Sequence, residues 1–348
     1  MPEKKLDTAE RIIEEVRDIF ADPDPDLATR LYRELIVNAL KCRRDELELL
    51  DLKVLSRSMA EFRYAARVFK PYRDIRKVSI FGSARTPEDD PYYEFAVAFA
   101  RQLGAAGYMV ITGAADGIMK AGNVGAGAEN SFGVNILLPF EQAANEVIGD
   151  DPKLITFKYF FTRKLFFLME AHAVALFPGG FGTHDEGFET LTLVQTGKAP
   201  PMPLLLMELP DGDYWVNFDK FIRQELLGRG LIAQQDLSLY KIIRSPEEGV
   251  EWVSSFYSTY HSMRIVKDRL VIRLERTLSE AQVERLRGDF QDMVKRGTIA
   301  QTGALPEEWN EPHLAEKPRL VFAYNRQSPS RLHEMILAIN ALAGSSGG

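Results

Sequence analysis

Seven short and nearly uninterrupted apolar runs, separated by helical stretches, constrain this chain more than any other feature of its sequence. They are VSIF (Val78 to Phe81), YMVIT (Tyr108 to Thr112), GVNILL (Gly133 to Leu138), LITF (Leu154 to Phe157), VALF (Val174 to Phe177), PLLLM (Pro203 to Met207) and LYKII (Leu239 to Ile243). An unbroken apolar run marks a strand covered on both faces, and strands that alternate with helices pair in parallel. The expected fold is therefore α/β, a Rossmann-like doubly wound parallel sheet.

The flanks of this pattern differ from it. Residues 1–76 carry helical periodicity in three stretches: one with the apolar stripe Ile12, Ile13, Val16, Ile19 and Phe20, one near Leu27 to Leu40, and one from about Leu52 to Phe69. Asp7, followed by Glu10, is expected to cap the first, and all three are expected to be packing helices. Ser245, Pro246 and Glu248 signal the start of the last helix of the sheet domain. From residue 262 a smaller pattern follows. RLVIRL (Arg269 to Leu274) and RLVFAY (Arg319 to Tyr324) read as strands, Ser279 to Val294 and Ser330 to Leu342 as helices, and the AGSSGG tail as frayed. The expected organisation is an N-terminal helical segment (1–76), the Rossmann-like core (77–261) and a small C-terminal α/β appendage (262–348).

Composition narrows the functional classes. The 43 Lys and Arg against 50 Asp and Glu give a formal charge of −7, which argues against broad nucleic-acid binding. The single cysteine, Cys42, excludes an intrachain disulfide. The N-terminal stretch mixes charges with apolar residues, unlike a secretion signal, and no uncharged run reaches the roughly 18 residues of a membrane span. A cytoplasmic protein with no membrane partner is expected.

Ligands of doubly wound sheets bind where strands run into helices, so those turns carry the candidate site. In FGSAR (Phe81 to Arg85) the glycine admits a ligand to the backbone, and Ser83 can donate to a phosphate; a plain turn is the alternative. TGAADGIM (Thr112 to Met119) sets Gly113, Gly117 and Met119 around a helix start, with neither the P-loop nor the GxGxxG spacing. Its small residues suit an anion site or close helix–sheet packing. In VALFPGGFGTHDEGFETLT, three glycines in four positions (Gly179, Gly180, Gly182) precede Thr183 and a helix rich in Asp185, Glu186 and Glu189. A phosphate fits the amides of Gly180, Gly182 and Thr183, while the acids can equally complement the helix dipole. Arg163 and Lys164 in FTRK open another helix, where cations oppose the dipole unless a bound anion offsets them or the pair lies on the surface. His172, placed mid-helix, and His184 lack metal-ligand spacing and are read as packing or pocket-rim residues. Trp215 and Trp252 read as core or interface anchors.

PGGFGTHDE resembles the PGGxGTxxE signature of the LONELY GUY (LOG) family, the cytokinin riboside 5′-monophosphate phosphoribohydrolases and their bacterial nucleotide-hydrolase relatives. FGSAR, TGAADGIMKAGNVGA, FTRK and LTLVQTGK follow in the family's order, so the similarity spans about residues 75–258. The resemblance implies hydrolysis of the N-glycosidic bond of a nucleoside 5′-monophosphate, AMP-like or cytokinin-type. Arg163 and Glu186 would be the catalytic pair, and Ser83, Gly113, Gly117, Met119, Lys164, Gly179, Gly180, Gly182 and Thr183 would bind phosphate and substrate. It implies no metal, no cofactor and a homo-oligomer, at least a dimer. Molybdenum-cofactor carriers share the fold and its phosphate-binding glycines, so a non-catalytic nucleotide or cofactor carrier is the alternative; a related DNA-processing protein fits the acidic balance less well. The sequence departs from the family's TGGGPGIM turn at Ala114, Ala115 and Asp116. Extra methyl groups there narrow the ligand space, and Asp116 would repel a phosphate unless it points away.

Overall fold

The computed structural model describes residues 3–137, 143–327 and 329–344. The chain forms two compact units, Met1–Phe62 and Arg63–Gly348. The first contains α1 (Glu3–Ala21), α2 (Leu27–Arg44) and the start of α3 (Leu49–Phe69). Helix α1 begins at Glu3, so Asp7 is inside it and does not cap its start; the Glu-Lys-Lys-Leu stretch before Asp7 consists of good helix formers. Asp26 caps α2 by accepting the Thr29 N–H at 2.7 Å. The apolar stripe of α2 is not packed as expected: Leu27, Leu31 and Leu35 are all exposed, one helical turn apart.

The second unit is built on β1 (Lys77–Phe81), β2 (Met109–Thr112), β3 (Ser131–Ile136), β4 (Leu154–Phe157), β5 (Ala173–Leu176), β6 (Leu204–Met207) and β7 (Tyr240–Ile243). Helices α4 (Pro91–Ala105), α5 (Ile118–Ala126), α6 (Phe160–Met169), α7 (Phe181–Gln195), α8 (Tyr214–Phe221) and α9 (Pro246–Phe256) alternate with them. The expected run to Leu138 ends β3 two residues early, and Leu138 itself lies outside the described residues. The strand order is β4-β3-β2-β1-β5-β6-β7, all parallel. The order reverses at β1, because the chain moves outward through β2, β3 and β4 and then returns to its other side with β5. That reversal opens a crevice beyond the strand ends.

Every residue of β1, β2, β5 and β6 is buried, as unbroken apolar runs require. On one face Phe69 stacks on Phe132 at 4.3 Å beside Phe166 and Trp215; on the other, Phe95 meets Phe177 edge-on at 5.5 Å. Ser245 caps α9, accepting the Glu248 N–H at 3.1 Å, while Glu248 reaches back to the Arg244 N–H at 2.9 Å.

The remaining elements are β8 (Tyr260–Val266), β9 (Arg269–Leu274), α10 (Glu280–Asp289), β10 (Val294–Thr302), β11 (Arg319–Tyr324) and α11 (Pro329–Gly344). They form an antiparallel sheet of order β10-β11-β9-β8. Helix α10 is shorter than its expected span to Val294. Ser279 and Gln282 close a capping box at its start, and Gly288 and Asp289, both poor helix formers, end it, freeing Val294 to begin β10. Ser345 to Gly348 of the tail lie outside the described residues. No helix among the described residues is long and apolar enough to cross a membrane.

Candidate active site

The turns after β1, β2 and β5 are tied together by backbone hydrogen bonds. Ser83 N–H donates to the Pro178 carbonyl at 3.1 Å, and Ile118 N–H donates to the Ser83 carbonyl at 3.1 Å. Beside them, at the reversal of the strand order, lies a cavity of about 650 Å³, within the roughly 300–1,000 Å³ typical of small-molecule sites. Of the residues singled out in the sequence, Ser83, Gly113, Met119, Arg163, Gly180, Gly182, Thr183, Asp185 and Glu186 are among those that line it. Gly117, Lys164 and Gly179 do not.

The glycines divide into two kinds. A Cβ on Gly117, whose φ is +62°, would lie 2.3 Å from the Ser83 carbonyl oxygen, and one on Gly179 would lie 2.2 Å from Thr183 Oγ1. These two glycines let the turns approach one another. A Cβ on Gly180 or Gly182 would meet nothing within 4 Å, so both present bare backbone to the cavity. Helix α7 has no side-chain cap, and the Phe181 and Gly182 amides, at its first turn, find no acceptor among the described residues. Free first-turn amides and the helix dipole together favour an anion.

Glu186 lies one turn into α7, 4% exposed. Its Oε2 is buried and has no hydrogen-bond partner among the described residues. Burial pushes its pKa up to about 7; Lys164 and Arg163 pull in the opposite direction without cancelling that cost. Lys164 does not extend into the cavity: its ammonium bonds Asp185 at 2.8 Å and Glu189, and stands 3.8 Å from Glu186. Burial lowers the Lys164 pKa, but the bonds from Asp185 and Glu189 outweigh it and hold the group above its ordinary value. The dipole rationale for Asp185 and Glu189 is thus joined by direct pairing. Arg163 lines the cavity with its guanidinium over the Phe160 ring, 4.8 Å from the centroid.

The departing turn adapts locally. Ala114 adopts φ +59°, a left-handed conformation that favours glycine, and is held by its N–H on Thr112 Oγ1 (3.0 Å) and its carbonyl on the Asn145 N–H (2.9 Å). Gly133 on the adjacent strand makes room for its methyl group; a Cβ there would sit 3.1 Å from Ala114 Cβ. Ala115 lines the cavity and narrows it, whereas Asp116 is exposed and does not line it.

Sequence reasoning missed Arg85, Asn135, Ile136, Phe160, Phe167 and Phe181, which also line the cavity. Arg85, Asn135 and Ile136 lie at the carboxyl ends of β1 and β3, so strand ends were the available signal. His172 is in the turn before β5 rather than mid-helix. Its Nδ1 accepts the Lys77 N–H at 3.3 Å, and burial lowers its pKa to about 4. His184 packs among Tyr214, Trp215 and Phe218. Among the described residues, no group of three or more His, Cys, Asp or Glu is placed to hold a metal ion.

Residues 112–253 match the model of a family described as "Possible lysine decarboxylase". No curated protein matches the chain. Similar solved structures include the structural-genomics target TM1055, at 22% identity over 52% of this chain and 99% of that one, with a TM-score of 0.37. The molybdenum cofactor binding protein of Rippkaea orientalis is 20% identical over 52% of this chain and 95% of that one, at a TM-score of 0.37. DNA processing protein A of Helicobacter pylori is 17% identical over 52% and 81%, at 0.34. The matched stretch runs from Thr112 at the end of β2 to Val253 in α9 and contains the PGGFGTHDE turn that resembles the LOG-family signature.

Proposed function

We propose that the protein is a cytoplasmic nucleoside 5′-monophosphate N-glycosidase, releasing free base and ribose 5-phosphate, with AMP-like nucleotides as substrates. One observation carries the reading: a buried carboxylate with an unsatisfied oxygen, Glu186, shares a cavity with bare glycine backbone, open helix amides and Arg163. In this reading the Gly180–Thr183 turn and Ser83 hold the 5′-phosphate. Anchoring the phosphate converts remote binding energy into placement of the ribose. As the glycosidic bond breaks, positive charge grows on the ribose ring, where the Glu186 carboxylate stabilises it and accepts a proton from the attacking water. Arg163 balances the phosphate or the departing charge.

A pure carrier requires the phosphate cradle but has no use for a desolvated carboxylate beside it, which favours the enzyme. The name of the matching family suggests a different chemistry, yet among the described residues no lysine lines the cavity to form a Schiff base with an aldehyde cofactor. The phosphate anchor makes a direct prediction: AMP should be cleaved at least about a hundredfold more efficiently than adenosine, the worth of a few charge-assisted hydrogen bonds. Rates of base release from the two, measured side by side, test it. Equal kcat/KM values would remove the anchor.

The assembly is proposed to be a homo-oligomer, at least a dimer. The LTLVQ segment of α7 does not motivate this, because Val194 is buried and Leu191 and Leu193 pack against the same subunit's core. The support is on α6, which carries Arg163: Phe161, Leu165 and Met169 form a half-exposed apolar stripe along it, and Phe188 of α7 is also exposed. Light scattering should give a multiple of 39.3 kDa. A mass of one chain with full activity would contradict it.

A further inference from the structure

Tyr214, the first residue of α8, is outside the cavity but reaches the glycine turn. Its hydroxyl donates to the Gly179 carbonyl at 2.5 Å, and His184 Nε2 lies 2.7 Å from the same hydroxyl. A phenol has one proton to give. With that proton on the carbonyl, the imidazole must supply the other, so His184 carries its hydrogen on Nε2 and the donors run from His184 to Tyr214 to Gly179. The rings of Tyr214, Trp215 and Phe218 lie 5.5–5.8 Å from the imidazole, and burial lowers its pKa, favouring the neutral ring this arrangement uses.

The consequence appears across the peptide plane. In a trans peptide the carbonyl of one residue and the N–H of the next point in opposite directions, and the chain contains no cis bond among the described residues. Fixing the Gly179 carbonyl toward α8 therefore turns the Gly180 N–H away from α8. Gly180 lines the cavity, whereas Tyr214, His184 and Gly179 do not. No described residue accepts the Gly180 N–H, and the α-carbon there faces open space.

We infer that the His184–Tyr214 pair aims the Gly180 N–H into the cavity as a donor to the phosphate of a bound nucleotide. The inference rests on the nucleotide reading and extends it to two positioning residues that touch no substrate. The geometry also explains why His184 and Glu186 share a helix turn: Glu186 lines the cavity, while His184 points to the aromatic cluster behind the glycine turn.

Calorimetric titration of AMP and of adenosine into the wild type, Tyr214→Phe and His184→Phe tests it. Tyr214→Phe removes only the hydroxyl, leaving the peptide plane free to rotate. AMP should then bind about tenfold or more weakly, as expected for one hydrogen bond to a charged group, with adenosine affinity unchanged. His184→Phe keeps a ring in the cluster and removes the donor, so it should show the same selective loss to a smaller degree. Thermal unfolding is recorded for each variant, and His184→Phe serves as the independent probe should Tyr214→Phe not fold. If AMP and adenosine weaken together, the pair is only packing and the inference is overturned. If both variants bind AMP like the wild type, it is likewise overturned while the nucleotide reading stands. A wild type that does not bind AMP overturns the nucleotide reading, and the aiming role falls with it.

Discussion

Glu186→Gln should lower kcat for AMP cleavage by about 10²–10³-fold while changing AMP affinity by no more than a few fold. Glutamine keeps the size and hydrogen-bonding shape of the side chain but removes the charge that meets the growing positive charge on the ribose. The carboxylate is the active form, and burial holds its pKa up to about 7. Wild-type kcat should therefore rise with pH through about 7, and the residual activity of the glutamine variant should lack that rise. The stability sign is the reverse. The folded pKa is above the ordinary value of 4.5, so the folded state binds more protons, and Glu186 ionisation costs stability as pH rises from that value toward 7. Removing the titrating group should flatten that part of the stability profile. Single-turnover rates and binding isotherms across pH separate these effects, and a glutamine variant with near wild-type kcat would exclude Glu186 from the mechanism.

The second large effect comes from two glycines only three residues apart. Gly179→Ala places a methyl carbon 2.2 Å from Thr183 Oγ1 and 2.9 Å from the Ser83 N–H, which is bonded to the Pro178 carbonyl. The turn must move, at a cost of about 1–3 kcal/mol for overpacking. Gly182→Ala meets open space and lies inside α7, where alanine is the better helix former by about 1 kcal/mol. It should fold as well as the wild type or better, yet bind AMP at least tenfold more weakly because its methyl enters the cavity. Chemical denaturation and AMP titration of both variants check the contrast. Equal stability losses, or unimpaired AMP binding by Gly182→Ala, would contradict the assigned glycine roles.

The sheet was legible because its inner strands are buried on both faces, which leaves unbroken apolar runs in the sequence. In the appendage the two inner strands, RLVIRL and RLVFAY, were legible and the two edge strands were not. YHSMRIV and VKRGTIAQT lie at the two edges of their sheet, and β10 is irregular, its register shifting between Val294 and Ala300, so neither alternates cleanly. Arg273 and Arg319, inside RLVIRL and RLVFAY, look like surface positions, yet both are buried against Glu308, at 2.7 and 3.2 Å. That carboxylate comes from a turn 35 residues beyond Arg273.

The site was legible as motifs but not as roles. The sequence gives Gly117, Gly179, Gly180 and Gly182 the same appearance, and only the packing around each α-carbon separates those that hold turns together from those that face the cavity. Lys164 and Arg163 are adjacent in sequence, yet one pairs with acids and the other lines the cavity. Tyr214 is 30 residues from His184, and no local pattern connects them.

The most direct test of the account is the identity of the products from AMP. Purified protein incubated with AMP, followed by chromatography, should give adenine and ribose 5-phosphate in equal amounts, with no adenosine and no free phosphate. Adenosine with phosphate, or unchanged AMP held in stoichiometric complex, would contradict it.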